Sequence, residues 1–163
     1  YLRGLKWNDL ARELVQKAVD TLDPQPLESK AMPVIFHRSA FAQLLEEFAP
    51  LFSGESAVKG KTPLLGRENS EIATEGFTLI DDGTLEGGIS THPYDDEGVP
   101  QRRTVLVENG IFKGFYHSLS TAVKMGCQPT GNGFRASVAS PPGADISNLY
   151  LQPGKADFKE LLR

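Results

Sequence analysis

The sequence predicts an α+β fold, in which an antiparallel β-sheet surrounds a central hairpin and helices flank it. The hairpin is indicated by two strand-like segments, 103–108 and 111–116, on either side of Asn109-Gly110. Asn-Gly favours a type I′ turn because both central residues of that turn need a positive φ. Apolar residues at helical spacing near the start of the chain, after Phe36 and at the end predict the flanking helices.

Composition restricts the class of protein. The 163 residues and 17.8 kDa suit a single hydrophobic core. The formal charge of -4 argues against nucleic-acid binding, which needs a basic surface. No segment approaches the roughly 20 apolar residues of a membrane span, and the one cysteine, Cys127, fits a reducing compartment. We therefore expect a cytoplasmic protein with no membrane or nucleic-acid partner. Because residue 1 is Tyr and a helical pattern stops at Arg163, we also expect an excerpt of a longer protein.

The first element is a helix at residues 8–22, with Asn8 as its N-cap and Asp9 in its first turn. The segment Asp23-Pro24-Gln25-Pro26 ends this helix, since proline cannot continue one.

A strand at Pro33–His37 comes next, because this short run is apolar and partly β-branched. Ser39 is then the predicted cap of a second helix, which we expect to end or kink near Ala49, before Pro50. The inner face of that helix carries apolar side chains: Phe41, Leu44, Leu45, Phe48 and Phe52.

The middle of the chain has weaker signals. Residues 53–76 read as loop with one short helix. A strand at 77–80 is followed by Asp81-Asp82-Gly83, a typical turn sequence. Residues 85–94 predict a loop with a short strand.

The hairpin register follows from its two-residue loop, which pairs Glu108 with Ile111 and Val107 with Phe112. A short helix at 120–124 should end at Gly126, a favourable C-cap residue.

The remaining elements are a long loop, a strand and a helix. Residues 127–143 are rich in Gly and Pro and predict the loop, and long loops in compact domains tend to be functional or disordered. Residues 147–151 predict a last strand, and a terminal helix should begin near Lys155.

Charge is segregated along the chain. The stretch from Glu68 to Gln101 has nine acidic residues and no Lys or Arg. The favoured interpretation is a solvated acidic face, since charge runs usually serve solubility. A docking surface for a basic partner and a site for a hard cation are the alternatives. The nine residues are Glu68, Glu71, Glu75, Asp81, Asp82, Glu86, Asp95, Asp96 and Glu97.

Catalytic motifs are not found among these residues. His37, His92 and His117 are not followed by Glu, and no two of them lie one helical turn apart, as a zincin motif requires. The acidic clusters lack the spacing of an EF-hand, and turn chemistry explains them better. Cys127 has no evident catalytic base beside it in sequence. Residues 131–136 lack the strand and helix of a dinucleotide fingerprint.

Several segments in order resemble the TldD/PmbA family, whose members are also described as suggested modulators of DNA gyrase. The resemblance covers most of the chain from about Ala31. Its most specific blocks are 96–110 and 147–154, and the shorter segments 33–36, 113–115, 121–126 and 129–133 occur in the family order.

The resemblance implies a cytosolic protein with an N-terminal α/β region and a C-terminal region rich in antiparallel strands. Residues 1–27 would be the end of the middle region and a linker, and residues 28–163 the first part of the C-terminal domain. The TldD-type subunit carries a His-Glu-x-x-x-His helix and a later cysteine that bind zinc, whereas the PmbA-type subunit, also called TldE, lacks that motif and pairs with the TldD type.

The helix after Phe36 indicates the subtype. It begins His37-Arg38-Ser39 and contains no His-Glu-x-x-x-His, so the chain looks closer to the PmbA type. The segments 95–100 and 129–133 depart from this, because they are close to what TldD-type members show. The resemblance thus implies no metal and no catalytic residue in this chain, and zinc in the partner subunit.

The expected function is that of a PmbA-type subunit region of a cytosolic metalloprotease, whose hydrolysis requires a TldD-type partner. The substrate would be unfolded peptide or a small protein, held by strand addition. The alternative is a non-catalytic protein-binding module that uses the acidic loop surface, and a hard-metal hydrolase ranks last. The candidate peptide or partner contacts are Asp95, Asp96, Glu97, Gly98, Gly131, Asn132 and Gly133.

Overall fold

Residues 4–161 are described by the computed structural model, and the chain divides into two units, Tyr1–Val34 and Ile35–Arg163. From residue 4 to Val34, the first unit contains one helix, α1 (Trp7–Asp20), which confirms the predicted helix there.

The start of α1 differs from the prediction in one detail. Asp9 lies in its first turn as expected, but the N-cap is Lys6 and no side chain caps the helix. Asn8 therefore lies within the helix, and the prediction that it caps α1 is wrong, because the helix begins one residue before it.

The second unit has the predicted mixture of helices and antiparallel strands. In chain order its elements are α2 (Arg38–Phe48), a 3₁₀ helix (Ala49–Phe52), α3 (Gly54–Val58), β1 (Leu79–Asp82), β2 (Arg103–Glu108), β3 (Ile111–Phe112), α4 (Leu119–Met125), β4 (Gly133–Phe134), β5 (Gly143–Ala144), β6 (Leu149–Leu151) and α5 (Phe158–Leu161).

The main sheet has four strands in the order β3-β2-β1-β6, and its pairs are antiparallel. In the inner strand β1, Ile80 lies opposite Val105 of β2 on one side and Tyr150 of β6 on the other. Strands β4 and β5 form a separate two-stranded sheet. The predicted α+β fold is confirmed.

The hairpin is confirmed with its register, since Val107 pairs with Phe112 and Glu108 with Ile111. Asn109 and Gly110 have φ values of 48° and 82°, as a type I′ turn requires. The second strand is shorter than the predicted 111–116, because β3 ends at Phe112 and Gly114 adopts a φ of 147°.

The core joins residues from α2, the 3₁₀ helix, α3 and the sheet. Phe112 is fully buried at its centre, and its ring contacts the rings of Phe52 and Phe115. The buried core residues are Leu45, Phe52, Ala57, Leu64, Leu79, Leu106, Val107, Phe112, Phe115 and Tyr116.

The segment before α2 corrects the prediction. Pro33–His37 is not a strand, because no strand among residues 4–161 pairs with it. His37 caps α2 with its own side chain, so Ser39 lies inside the helix and is not the cap. The helix ends at Phe48, as predicted, and Pro50 lies in the following 3₁₀ helix.

Strand β1 also differs from the prediction. Asp81 and Asp82 belong to β1, so the expected turn at 81–83 begins only at Gly83. Residues 85–94 contain no strand, and Tyr94 makes only an isolated bridge to Pro100.

Two short helices agree with the sequence. Helix α3 is the one expected within 53–76. Helix α4 ends at Met125 and has the predicted C-cap, Gly126, whose φ is 66°.

The last third of the chain is mostly as expected. The loop 127–143 includes β4, and β6 is shorter than the predicted 147–151. Helix α5 begins three residues after Lys155, and the part of the prediction at Leu162 and Arg163 lies outside the described residues. None of the described helices is both long and apolar enough to cross a bilayer.

Candidate functional site

The two segments predicted to make peptide or partner contacts lie side by side. The backbone N–H of Gly133 donates to Asp95 Oδ2 at 2.8 Å, and the N–H of Asp96 donates to the Gly133 carbonyl at 2.9 Å. Sequence reasoning singled out both segments, and the structure brings them together.

Their carboxylates accept hydrogen bonds from the protein itself. Asp95 is buried, and its Oδ1 accepts from the N–H groups of Glu97 and Val99, both at 2.9 Å. Asp96 Oδ2 accepts from the Arg135 N–H at 2.8 Å. Hydrogen bonds to the Asp95 and Asp96 side chains thus stabilise the turn at 95–98, in which Gly98 has a φ of 77°.

Glu97 links this turn to α4. Its Oε2 accepts from the Leu119 N–H at 2.7 Å, where α4 begins. Gly133 makes room for that carboxylate, because a Cβ at Gly133 would overlap it. Gly133 is therefore needed for close approach, while Gly131 has a φ of 78°.

Asn132 lies in a buried polar network that the sequence did not predict. It is 2% exposed, and its Nδ2 donates to Asp81 Oδ2 at 2.6 Å and to the Asp145 carbonyl at 2.9 Å. Its Oδ1 accepts from Thr130 Oγ1 at 2.6 Å. Asn132 thus connects the loop 127–143 to β1.

Asp81 accepts two further hydrogen bonds in this network. The N–H of Ser147 donates to Oδ1 at 2.8 Å and the Ser147 hydroxyl donates to Oδ2 at 2.9 Å. Burial raises the pKa of the Asp81 carboxyl, and the hydrogen bonds from Asn132 and Ser147 oppose that rise.

The predicted solvated acidic face is only partly correct. Asp81, Asp82 and Asp95 are buried, at 1%, 6% and 7% exposure. Their carboxylates serve as acceptors for loop and strand backbone, as when Asp82 Oδ1 accepts from the Thr84 N–H at 2.9 Å. The other six acidic residues of the stretch are exposed or half-buried.

The described residues do not fit a metal ion. Between residues 4 and 161, no three His, Cys, Asp or Glu side chains converge as a metal site. His37 Nδ1 accepts from the Ser39 N–H as a helix cap, His92 is exposed, and His117 is buried with its Nδ1 3.2 Å from Thr121 Oγ1. The hard-cation interpretation of the acidic stretch receives no support from this geometry.

Two other titratable groups have pKa values that burial shifts. Burial lowers the pKa of His117, and the positive charge of Arg102 lowers it further. Partial desolvation raises the pKa of the Cys127 thiol, which disfavours the reactive thiolate.

The two outer strands of the sheet differ in what lies on their outer sides among residues 4–161. At β3 the outer edge is already occupied, since the Phe112 N–H donates to the Ser70 carbonyl at 2.9 Å and the Asn69 N–H donates to the Phe112 carbonyl at 2.7 Å. At β6, no strand among the described residues pairs with the outer side.

The backbone groups on the side of β6 that faces away from β1 can be identified. The Asp82 N–H donates to the Asn148 carbonyl and the Gln152 N–H donates to the Thr78 carbonyl, so Asn148 and Gln152 face β1. Because these groups alternate along an antiparallel strand, those of Leu149 and Leu151 point away from β1. Sequence reasoning missed this feature, which depends on strand order.

Residues of β6 also line a cleft. A cavity of about 630 Å³ is bounded by α2 and β6, with Phe41 and Leu45 on the helix side and Leu149–Leu151 on the strand side. A larger apolar groove of about 1100 Å³ also contacts Phe41 and Leu45 and extends to Ile72 and Phe77.

Comparison with known families gives one match. The sequence model described as the PmbA/TldA metallopeptidase C-terminal domain matches residues 29–163.

Curated relatives carry metalloprotease names. A protein named metalloprotease from Methanothermobacter thermautotrophicus is 34% identical over 155 residues, covering 94% of this chain and 34% of that protein. The metalloprotease TldD homolog of Haemophilus influenzae is 31% identical over 93% of this chain and 32% of its own length. The metalloprotease PmbA homolog of that organism is 28% identical over 72% of this chain and 26% of its own length. The chain spans about a third of the length of the first relatives.

Solved structures share the fold. A Thermotoga maritima protein whose suggested role is modulation of a DNA gyrase aligns with a TM-score of 0.88 and 34% identity, over 98% of this chain and 36% of its own. TldE from Thermococcus kodakarensis aligns with a TM-score of 0.65 and 38% identity, over 70% of this chain and 26% of its own.

Proposed function

The chain belongs to the TldD/PmbA metallopeptidase family, and from this premise we propose that it is a region of the PmbA-type subunit of a cytoplasmic metalloprotease. In this proposal, residues 28–163 are the first part of the C-terminal domain and residues 1–27 are the end of the preceding region. The subunit acts in proteolysis or peptide processing, holds no zinc and has no nucleic-acid or membrane partner.

The observation that carries the proposal is the use of α2. His37, the residue before α2, caps the helix with its side chain. The inner face of α2 packs Phe41 and Leu45 against the core and the cleft. A zinc helix would need ligand side chains one turn apart on that face. The apolar face supports a subunit that borders a peptide site without supplying the metal.

The proposed partner is a TldD-type subunit, whose zinc would supply the hydrolytic chemistry. Support comes from the relatives, which include a protein named as a TldD homolog and one named as a PmbA homolog, and from the likeness to TldE. The relatives are about three times as long as this chain, so the contact with the partner is proposed for the whole protein and not for particular residues of this chain.

The proposed substrate is an unfolded peptide or a small protein, held in extended form by strand addition. In this kind of contact the backbone hydrogen bonds of the peptide provide the binding, so many sequences are tolerated. The apolar side chains of Phe41 and Leu45 on α2, which line a cavity, would contact apolar side chains of the substrate.

The alternative function, a protein-binding module with an acidic loop surface, has less support. Three of the nine acidic residues are buried, and Asp96 and Glu97 accept hydrogen bonds from the chain's own backbone. A contact of Asp95–Gly98 or Gly131–Gly133 with peptide or partner stays a prediction.

The test uses the full-length protein, a TldD-type subunit and an unstructured peptide. The pair should cleave the peptide, the full-length protein alone should not, and a zinc chelator should stop the reaction. Metal analysis should find zinc in the partner and none in this subunit. Cleavage by the full-length protein alone at the rate of the pair would exclude the proposal.

A further inference from the structure

Asn132 is followed by Gly133, and an Asn-Gly pair is chemically labile in an unfolded chain. The sequence has two such pairs, at 109–110 and at 132–133. In the reaction, the glycine nitrogen loses its proton to solvent base and bonds to the side-chain carbonyl carbon of the asparagine, and ammonia leaves. Water then opens the five-membered ring to give aspartate or isoaspartate. Glycine favours the attack because it has no side chain to shield its nitrogen.

The fold holds the attacking nitrogen of the pair at 132–133. The Gly133 N–H donates to Asp95 Oδ2 at 2.8 Å, and Asp95 is buried. Loss of the Gly133 proton would place an anion directly against a carboxylate, and like charges at this distance are unfavourable. The first step of the reaction is therefore opposed in the folded protein.

The fold also holds the group that would be attacked. The Asn132 side chain is 2% exposed, and its Nδ2 donates to Asp81 Oδ2 at 2.6 Å and to the Asp145 carbonyl at 2.9 Å. Its Oδ1 accepts from Thr130 Oγ1 at 2.6 Å. Closing the ring would turn the amide away from these partners and leave them buried without hydrogen bonds, which is costly.

The product at position 132 would not suit the folded structure. Aspartate there would lack the Nδ2 donor and would place a second buried carboxylate against Asp81, whereas isoaspartate would also lengthen the backbone of the loop. A chain modified at this position should therefore not regain the native fold.

The pair at 109–110 differs in its product. The Gly110 N–H is held by a separate contact, since it donates to the Phe77 carbonyl at 2.8 Å. Aspartate at position 109 would still suit the hairpin, because Asp-Gly favours a type I′ turn as Asn-Gly does. The same reaction should thus be tolerated at position 109 and damaging at position 132.

We propose that Asn132-Gly133 is the modification site at which unfolded molecules are lost: deamidation of Asn132 prevents refolding, and the native contacts of Asp81 and Asp95 block the reaction while the chain is folded. Chemical modification of unfolded molecules is one way in which unfolding becomes irreversible. This inference is independent of the proposed proteolytic function.

The first test compares the full-length protein in its native state and in urea, at the same mildly alkaline pH. Peptide mapping by mass spectrometry measures deamidation separately at the two pairs. The rate at Asn132 should be at least about tenfold lower in the native protein than in urea, since the reaction then requires local opening. Equal rates at Asn132 in the two states would overturn the proposal.

The second test separates local protection from global stability. Asp95→Ala removes the acceptor of the Gly133 N–H and should raise the native rate at Asn132 about threefold to tenfold, the effect of one buried hydrogen bond. The matched control is Asp96→Ala, which removes the neighbouring carboxylate but frees the N–H of Arg135 instead, and should leave that rate unchanged. Asn109 reports global unfolding, so an equal increase at both pairs in Asp95→Ala would overturn the role of Asp95.

The third test concerns the consequence and needs no variant, so it decides even if Asp95→Ala does not fold. Full-length protein that is partly deamidated in urea is diluted into native conditions, and the refolded fraction is separated from the rest. The refolded fraction should be depleted of molecules modified at Asn132 but should retain molecules with aspartate at position 109. An equal extent of modification at Asn132 in both fractions would overturn the proposal.

Discussion

The Asn132 side-chain amide donates to Asp81 Oδ2 at 2.6 Å, and the two residues lie 51 positions apart in sequence. Asn132 stands in the loop 127–143, where sequence composition suggested either function or disorder. The contact shows that part of this loop is fixed to the central strand. Thr130 Oγ1 extends the connection by donating to Asn132 Oδ1 at 2.6 Å.

Replacing Asn132 by Asp should be strongly destabilising at neutral pH. The change removes the Nδ2 donor and places a second carboxylate against Asp81 in a buried site, with an expected loss of about 3 kcal/mol. Because the two carboxylates can share a proton, the loss should shrink as the pH falls toward 4. Urea unfolding at two pH values measures both effects. An equal loss at both pH values would contradict the proposed carboxylate contact.

Gly133 and Glu97 should show strong coupling in a double-mutant cycle. A Cβ at position 133 would displace the Glu97 carboxylate and break its hydrogen bond to the Leu119 N–H. We expect Gly133→Ala to lower the free energy of unfolding by about 1–2 kcal/mol, but to be nearly neutral once Glu97 is already Ala. Chemical denaturation of the four proteins measures the coupling. Additive effects would show that Gly133 serves another purpose.

Local chemistry explains which elements were predictable. The Asn109-Gly110 turn and the Gly126 cap depend on backbone preferences of one or two residues, so sequence was sufficient for both. Asp81 was misread because Asp-Asp-Gly is ordinary turn chemistry, whereas its partners Asn132 and Ser147 lie 51 and 66 residues away.

Strand order sets the same limit for the candidate site. Pro33–His37 has the composition of a strand, but no described strand pairs with it. The pairing of β6 with β1 joins residues about 70 positions apart, as when Leu151 lies opposite Leu79. No local pattern encodes these pairings, so they could not be predicted from a single sequence.

His117 should make the fold less stable below neutral pH. Burial, followed by the charge of Arg102, lowers its pKa in the folded state from the ordinary 6.5. As the pH falls below about 6.5, the unfolded chain binds a proton that the folded protein does not, so stability falls by up to about 1.4 kcal/mol per pH unit.

The measurement is urea unfolding of wild type and His117→Gln between pH 7.5 and 5.5. The stability of His117→Gln should fall less than that of wild type as the pH is lowered. The stability of His92→Gln, at an exposed position, should fall as much as that of wild type. The raised pKa of the Asp81 carboxyl has the opposite effect, because its contribution to stability falls as the pH rises above 3.8. Wild type, His117→Gln and His92→Gln all contain Asp81, so this contribution does not affect their comparison. Identical slopes for wild type and His117→Gln would contradict the prediction.

His37 should act on stability and not on zinc binding. Its Nδ1 accepts from the Ser39 N–H at 3.3 Å and lies 2.8 Å from Ser39 Oγ, at the start of α2. His37→Ala removes this cap and should lower the free energy of unfolding by about 0.5–2 kcal/mol, whereas His37→Asn supplies another capping oxygen and should retain most of the stability. Both variants should leave the zinc content and cleavage rate of the full-length pair unchanged, because His37 contacts only the backbone and hydroxyl of Ser39. A metal ligand would give the opposite pattern: His37→Asn would fold normally and still lose zinc and activity, which would place the chain among the zinc-bearing subunits of the family.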